Sequence, residues 1–160
     1  KGASPYPYLE YTAAPATLAS EHDVANIVLG GKWRMPTTGE IVAMRDATYW
    51  VWDETDKGYY ICLPSGTCEA GGKGKTFPTG TDKSGALLFI PASGFVKYGS
   101  AGNQFLQSAK VCDIWTSSLA EATKAHNLYF GGTGADPVGI IPGYSNLRYY
   151  GFSIRPVPDE

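Results

Sequence analysis

The chain has 160 residues, 43% of them apolar, which is enough to bury one core in a single domain. Its 13 Lys and Arg against 15 Asp and Glu, a net charge of −2 and the lack of any basic run exclude the electrostatic footprint of a nucleic-acid or anionic-lipid binder. The 20 Gly, 11 Pro, 11 Tyr and 4 Trp favour strands, turns and long ordered loops over helices, and Tyr-rich, Gly-rich surfaces suit recognition.

Residues 1–20, "KGASPYPYLEYTAAPATLAS", are Pro- and Ala-rich and read as an extended lead-in, with at most a short strand at Tyr8–Thr12. The chain opens on Lys1 without an initiator Met, so we expect a piece of a larger protein with any signal or lipid-anchor cysteine upstream. No apolar run approaches the roughly 20 residues that cross a bilayer, so no direct membrane insertion is expected. The single domain should occupy 21–160.

Ser20 is the predicted N-cap of a first helix over "EHDVANIVLGG". Glu21 and Asp23 suit its first turn, Gly30-Gly31 stop it, and Val24, Ile27 and Val28 form an apolar face expected in the core. In "GGKWRMPTTGE", Pro36 holds Met35 extended, and Thr37-x-x-Glu40 is a capping box that starts a second helix through "GEIVAMRDA". Trp33 is expected as a core plug between the helices and Arg34 as a structural hydrogen-bonder. "TYWVW" and "GYYICL" around "DETDK" predict a hairpin. The polar stretch 64–85 reads as a long loop, "ALLFIPASGF" as a buried strand broken by Pro91, and 96–110 as another polar loop. "VCDIWTSS", "AHNLYFGG" and "LRYYGFSIRPV" read as further strands, the last with Phe152 and Ile154 on one face and Ser153 and Arg155 on the other. The plan is α+β, two early helices followed by five to seven short strands.

Motifs for chemistry are sparse. "GGKGKT" at 71–76 lacks the first glycine of a phosphate-binding loop, since position 69 is Glu69. With His22 and His126 alone and no paired metal spacing, neither a metal site nor a cofactor is expected. Ser117 or Ser118, His126 and Asp113 assemble a hydrolase triad only on paper: there is no nucleophile elbow, and strand serines beside a Trp read as hydroxyls bonded to backbone. "DETD" at 53–56 lacks the alternating ligand pattern of a calcium loop and reads as a solvated hairpin tip. Cys62 and Cys68 flank "LPSGT", a turn able to join them in a disulfide; together with Cys112 they read equally as three small buried thiols.

Four motifs then line up. "LASEHDVANIVLGGKWRMPTTGEI", "LLFIPASGF", "IWTSSLAEATKAHNLYF" and "RYYGFSIRPV" resemble, in order, the landmarks of the Fibrobacter succinogenes major paralogous domain family of secreted and surface proteins in Bacteroidetes. The resemblance spans about residues 18 to 157; Ile114 stands where Tyr is usual, and the 64–85 loop is individual to this chain. It implies a C-type-lectin-like fold, with two helices packed on a twisted antiparallel sheet, chain ends together and long loops at one end. It does not bring a calcium-type sugar site, since Glu-Pro-Asn, Gln-Pro-Asp and Trp-Asn-Asp are absent, nor formylglycine-generating chemistry, since no Cys follows Cys112.

The implied function is a non-enzymatic, adhesin-like binding domain of a bacterial secreted or cell-surface protein, at the extracellular or outer-membrane surface of a Gram-negative bacterium. It would hold a glycan or protein as part of a larger multidomain protein or assembly. The competing readings are a structural domain of a surface assembly such as a pilus, and a diverged enzyme of the formylglycine-generating superfamily. In a lectin-like fold, 142–149 and 99–105 should be neighbours. They offer Tyr144 and Tyr149 as an aromatic platform and Asn103, Gln104, Asn146 and Arg148 as polar partners, the mixture a sugar or protein loop requires.

Overall fold

A computed structural model describes residues 17–64, 77, 80, 82–99, 102–106, 109–131 and 144–159, with the backbone alone described at Tyr98, Gly99 and Asn103. The expected strand at Tyr8–Thr12, most of the 64–85 loop with "GGKGKT", and residues 132–143 lie outside the described residues. The described chain is mixed α+β, two α-helices and ten short strands, nearly all paired antiparallel.

A 3-10 turn at Ser20–His22 leads into α1, Val24–Leu29. The α-helix is capped by Asp23, where Ser20 was expected: one oxygen of the Asp23 carboxylate accepts from the amides of Ala25 (2.8 Å) and Asn26 (3.3 Å). The other accepts from the amide of Met35 at 2.8 Å. That second bond decides which side of the helix turns inward. Ala25 is buried, and the face assigned to the core is outside, with Ile27 62%, Val28 71% and Leu29 51% exposed. Helical periodicity identified the stripe correctly but not what would lie against it.

β1 (Trp33–Arg34) pairs with β10 (Val157–Pro158), joining the segment between the two helices to the end of the described chain. Trp33 is 39% exposed and belongs to neither core cluster, so it is no core plug. Arg34 has the structural role expected. Its guanidinium grips Glu40 with two bonds (2.8 and 2.6 Å) and Asp159 with a third (3.0 Å).

α2, Thr38–Ala47, begins with the full capping box. Thr37 Oγ1 accepts from the Glu40 amide and the Glu40 carboxylate accepts from the Thr37 amide. Ile41 faces the core. Thr48 Oγ1 donates to the Met44 carbonyl at the helix end and accepts from the Trp50 indole at 3.0 Å.

The hairpin of β2 (Tyr49–Asp53) and β3 (Gly58–Cys62) forms in the expected place, with Asp53 opposite Gly58 and Tyr49 opposite Cys62. β4 (Leu88–Pro91) adds to its far side. Glycine is required at position 58: a Cβ there would sit 2.5 Å from the Ile90 carbonyl oxygen and 2.6 Å from the Phe89 ring. At the tip, Asp53 accepts from the amides of Thr55 and Asp56 and pairs with Lys83 at 2.6 Å, which also reaches Asp56 at 2.9 Å. Cys62 is disulfide-bonded and Cys112 is a free, buried thiol, so the reading of three thiols fails; Cys68 lies outside the described residues.

Residues 96–110, read as a polar loop, contain instead the hairpin β5 (Phe95–Gly99) and β6 (Gly102–Leu106). This two-stranded sheet leaves Lys97 and Gln104 half-buried and Phe105 exposed. β7 (Val111–Glu121) and β8 (Lys124–Gly131) form the longest hairpin, extended by β9 (Ser145–Leu147). The terminal stretch is less regular than one strand: Gly151 bridges Val96 and Ser153 bridges Ile114 before the chain enters β10. Phe152 and Ile154 are half-buried and Arg155 is exposed.

Alternate residues of these hairpins meet in the core: Trp50, Trp52, Tyr59 and Ile61 against Cys112, Ile114, Leu128 and Phe130, with Ile41 and Ile90. Edge-on ring contacts tie the halves together, Tyr59 to Phe130 at 5.0 Å and Trp50 to Phe130 at 6.3 Å.

Candidate functional site

Period two sends Ile114, Leu128 and Phe130 into the core and therefore turns Asp113, Trp115, Asn127 and Tyr129 to the opposite face of the β7–β8 hairpin. The register of β9, with Asn146 opposite Ala125, sets Asn146 on the same face. Here three polar side chains form a line. Asn146 Nδ2 donates to Asn127 Oδ1 at 3.1 Å, and Asn127 Nδ2 donates to Asp113 Oδ1 at 2.6 Å. Asn127 and Asp113 are buried and Asn146 is half-buried, so the line runs from the interior toward the surface. Burial pushes the Asp113 carboxyl up to about 7, against a smaller opposing effect of the Asn127 hydrogen bond. Burial also raises the Tyr129 phenol.

Aromatic rings flank the polar line on both sides. Tyr144, 40% exposed, stacks on Tyr129 with ring centroids 5.5 Å apart. On the other side Trp115 stacks on Phe152 at 4.3 Å and its indole donates to the Tyr150 carbonyl. Phe152 continues to Phe95 and Tyr150, and the edge of exposed Tyr149 meets Tyr150 at 5.0 Å. The face thus offers ring surface beside amides, and its carboxyl changes charge near neutrality.

Four of the six expected ligand residues, Tyr144, Asn146, Arg148 and Tyr149, lie on β9 and its flanks. Arg148 is anchored to the β7–β8 turn: its amide donates to the Thr123 carbonyl at 3.1 Å and its guanidinium to the Ala122 carbonyl. Gln104 lies apart from these on β6, and β5 stands between β6 and Gly151. Asn103 is on β6 also, its side chain outside the described residues. Asn127, Trp115 and Tyr129 were not foreseen, and Asp113 was considered only as a member of the paper triad. The alternation in "VCDIWTSS" and "AHNLYF" carried the signal, since it puts Asp113, Trp115, Asn127 and Tyr129 on the non-core face of a hairpin. Phe105, 63% exposed beside Gln104, was missed with the hairpin that carries it.

The paper triad is dispersed. Ser117 Oγ donates to the Pro36 carbonyl and Ser118 Oγ accepts from the Thr38 amide, so both serines tie β7 to the start of α2. His126 faces away from Asp113 across β8 and bonds through Nδ1 to the Tyr144 carbonyl. A cleft of about 160 Å³ lies between Thr17, Asn26, Arg34 and Asp159, but its charged groups are already engaged, Arg34 with Asp159 and Asp23 with the Met35 amide, which makes it a joint of the fold. Among the described residues no cluster of His, Cys, Asp and Glu is arranged to hold a metal, and no helix is long and apolar enough to cross a membrane. No protein-family model matches this chain, and no curated protein or solved structure matches it.

Proposed function

We propose that this chain is a C-type-lectin-like binding domain, related to the Fibrobacter succinogenes major paralogous domain family, of a bacterial secreted or cell-surface protein. It holds a glycan or a protein loop, without catalysis, on the β7–β8–β9 face. The observation that carries this reading is the exposed Tyr144 ring stacked on Tyr129 beside the Asn146 amide. A ring face covers the apolar C–H surface of a sugar or side chain, and amides satisfy the hydroxyls or carbonyls next to it. The pairing of β1 with β10, the two helices and the antiparallel strands support the fold assignment. The disulfide at Cys62 supports an oxidising compartment. A glycan array probed with the wild-type chain and with Tyr144→Ala tests it. Binding that drops at least about tenfold in the variant, with an unchanged melting temperature, is the expected result; undiminished binding would remove this face as the site.

The second reading, a structural domain of a surface assembly, is favoured by one observation of its own. Ile27, Val28, Leu29 and Trp33 are exposed large apolar residues of α1 and β1, where a neighbouring subunit would find an apolar surface. Sedimentation of the wild type against Val28→Asp separates the two: self-association lost in the variant supports assembly through α1, and a monomer in both leaves the first reading.

A further inference from the structure

We infer that Asp113 sets the polarity of the binding face: gain or loss of its proton reverses the Asn127 amide, which in turn reverses Asn146, so that the face presents an acceptor in one state and donors in the other. This rests on the reading of the β7–β8–β9 face as the ligand site and adds a proton as its regulator.

The argument is one of hydrogen-bond sign. An ionised carboxylate only accepts, so Asn127 must turn Nδ2 toward Asp113, as it does at 2.6 Å. Asn127 then shows Oδ1 to Asn146, and an oxygen takes only a donor, so Asn146 turns Nδ2 inward at 3.1 Å and leaves its own Oδ1 for a ligand. When Asp113 takes a proton from solvent on Oδ1, the oxygen that Asn127 contacts, its O–H meets the Asn127 N–H donor across 2.6 Å, and two donors facing each other are unfavourable. A half-turn of the Asn127 amide supplies an acceptor in Oδ1. Its Nδ2 now faces Asn146, which reverses to accept through Oδ1 and turns both N–H donors outward.

The surroundings leave Asp113 as the group that titrates. On β8 its cross-strand neighbour is Tyr129, a phenol raised by burial, with Tyr144 stacked above it. On β7 the adjoining Cys112 points to the core, its thiol pushed up to about 11 by burial. From the terminal segment Ser153 donates its amide to the Asp113 carbonyl, not to the carboxyl. No cation among the described residues offsets the burial that raises Asp113 to about 7. His126, the other titratable side chain near Tyr144, lies on the opposite face of β8.

The test needs no ligand, so its failure is distinct from a failure of the binding reading. Side-chain amide resonances of Asn127 and Asn146 are followed by nuclear magnetic resonance in the full chain across the neutral pH range. We expect both to move with one midpoint near 7, to lose that movement together in Asp113→Asn, and to keep it in His126→Gln. In Asn127→Ala the Asp113 carboxyl carbon should still titrate while Asn146 stands still. An Asn146 resonance that stays fixed while Asn127 moves, or a titration that survives Asp113→Asn or disappears in His126→Gln, overturns the proposal. If Asp113→Asn does not fold, the Asn127→Ala comparison decides by itself: Asn146 still titrating there breaks the relay.

Discussion

At the scale of single residues, the two groups with the largest consequences for pH are Asp113 and Glu40, and they act in opposite directions. Burial raises Asp113 from an unfolded value near ~3.9 to about 7, so the folded chain holds a proton that the unfolded chain releases. Its contribution favours the fold below the unfolded value and is lost as pH rises through 7. At 1.36 kcal/mol per unit the swing is on the order of 4 kcal/mol. Glu40, held down to about 2 by the Arg34 guanidinium, contributes above its unfolded value near ~4.3 and loses that contribution as pH falls toward 2. Urea midpoints should therefore be highest at mildly acidic pH and decline toward about pH 8, and Asp113→Asn should flatten the decline. A midpoint independent of pH between about 4 and 7 in the wild type would contradict the raised, buried Asp113 carboxyl. Cys112, buried with its thiol pushed up to about 11, should resist alkylation by iodoacetamide in the folded chain and react on unfolding. Mass spectrometry of native and urea-treated samples checks this.

Among the elements, α2 and α1 show what local signals carry and what they do not. The capping box of Thr37 and Glu40 is complete, and Thr37→Ala should cost about 1 kcal/mol in chemical denaturation. The apolar stripe of α1 is exposed, so Val28→Asp should change stability by no more than ~0.5 kcal/mol, where a core valine would make the same change severely destabilising. Trp33→Ala likewise should fall well short of the ~3–5 kcal/mol of a buried tryptophan. In the β2–β3–β4 sheet the sign is reversed: Gly58→Ala forces a Cβ against the backbone of β4 and should lower the melting temperature, however small the added group.

Across the whole molecule, the long hairpin β7–β8 is shared by two surfaces: one face completes the core and the other carries the candidate site. The hydroxyls of Thr116, Ser117 and Ser118 bind the segment that starts α2, so the helix, the hairpin and the site are one packing unit. Arg34 links the start of α2 to the last described residue, Asp159, across the β1–β10 pair. Its partners are substantially exposed, so Arg34→Met should cost only on the order of 1 kcal/mol. Its effect should be local, with hydrogen exchange at the Asp159 amide, bonded to the Lys32 carbonyl, rising more than exchange in β7. Equal acceleration in both places would show that the β1–β10 pair supports the entire fold.

The sequence by itself determined the features whose causes lie within a few residues: the α2 cap, the glycine stop after α1, the β2–β3 hairpin and the alternation of β7 and β8. The mixed α+β class followed from them. Each rests on backbone geometry or on a hydrogen bond to a near neighbour, and no distant partner is needed. Only the tertiary structure decided which apolar stripe is covered, because Asp23 reaches Met35 twelve residues away and turns Ala25 inward in place of Ile27 and Val28. It decided also that the polar segment after Phe95 is a sheet edge, since strands at an edge need neither continuous hydrophobicity nor a second apolar face. The site divides in the same way. Tyr144 and Asn146 stood out as an aromatic and an amide in one loop, but the line from Asn146 through Asn127 to Asp113 joins three strands, and the register between strands is set by the packing of the opposite face.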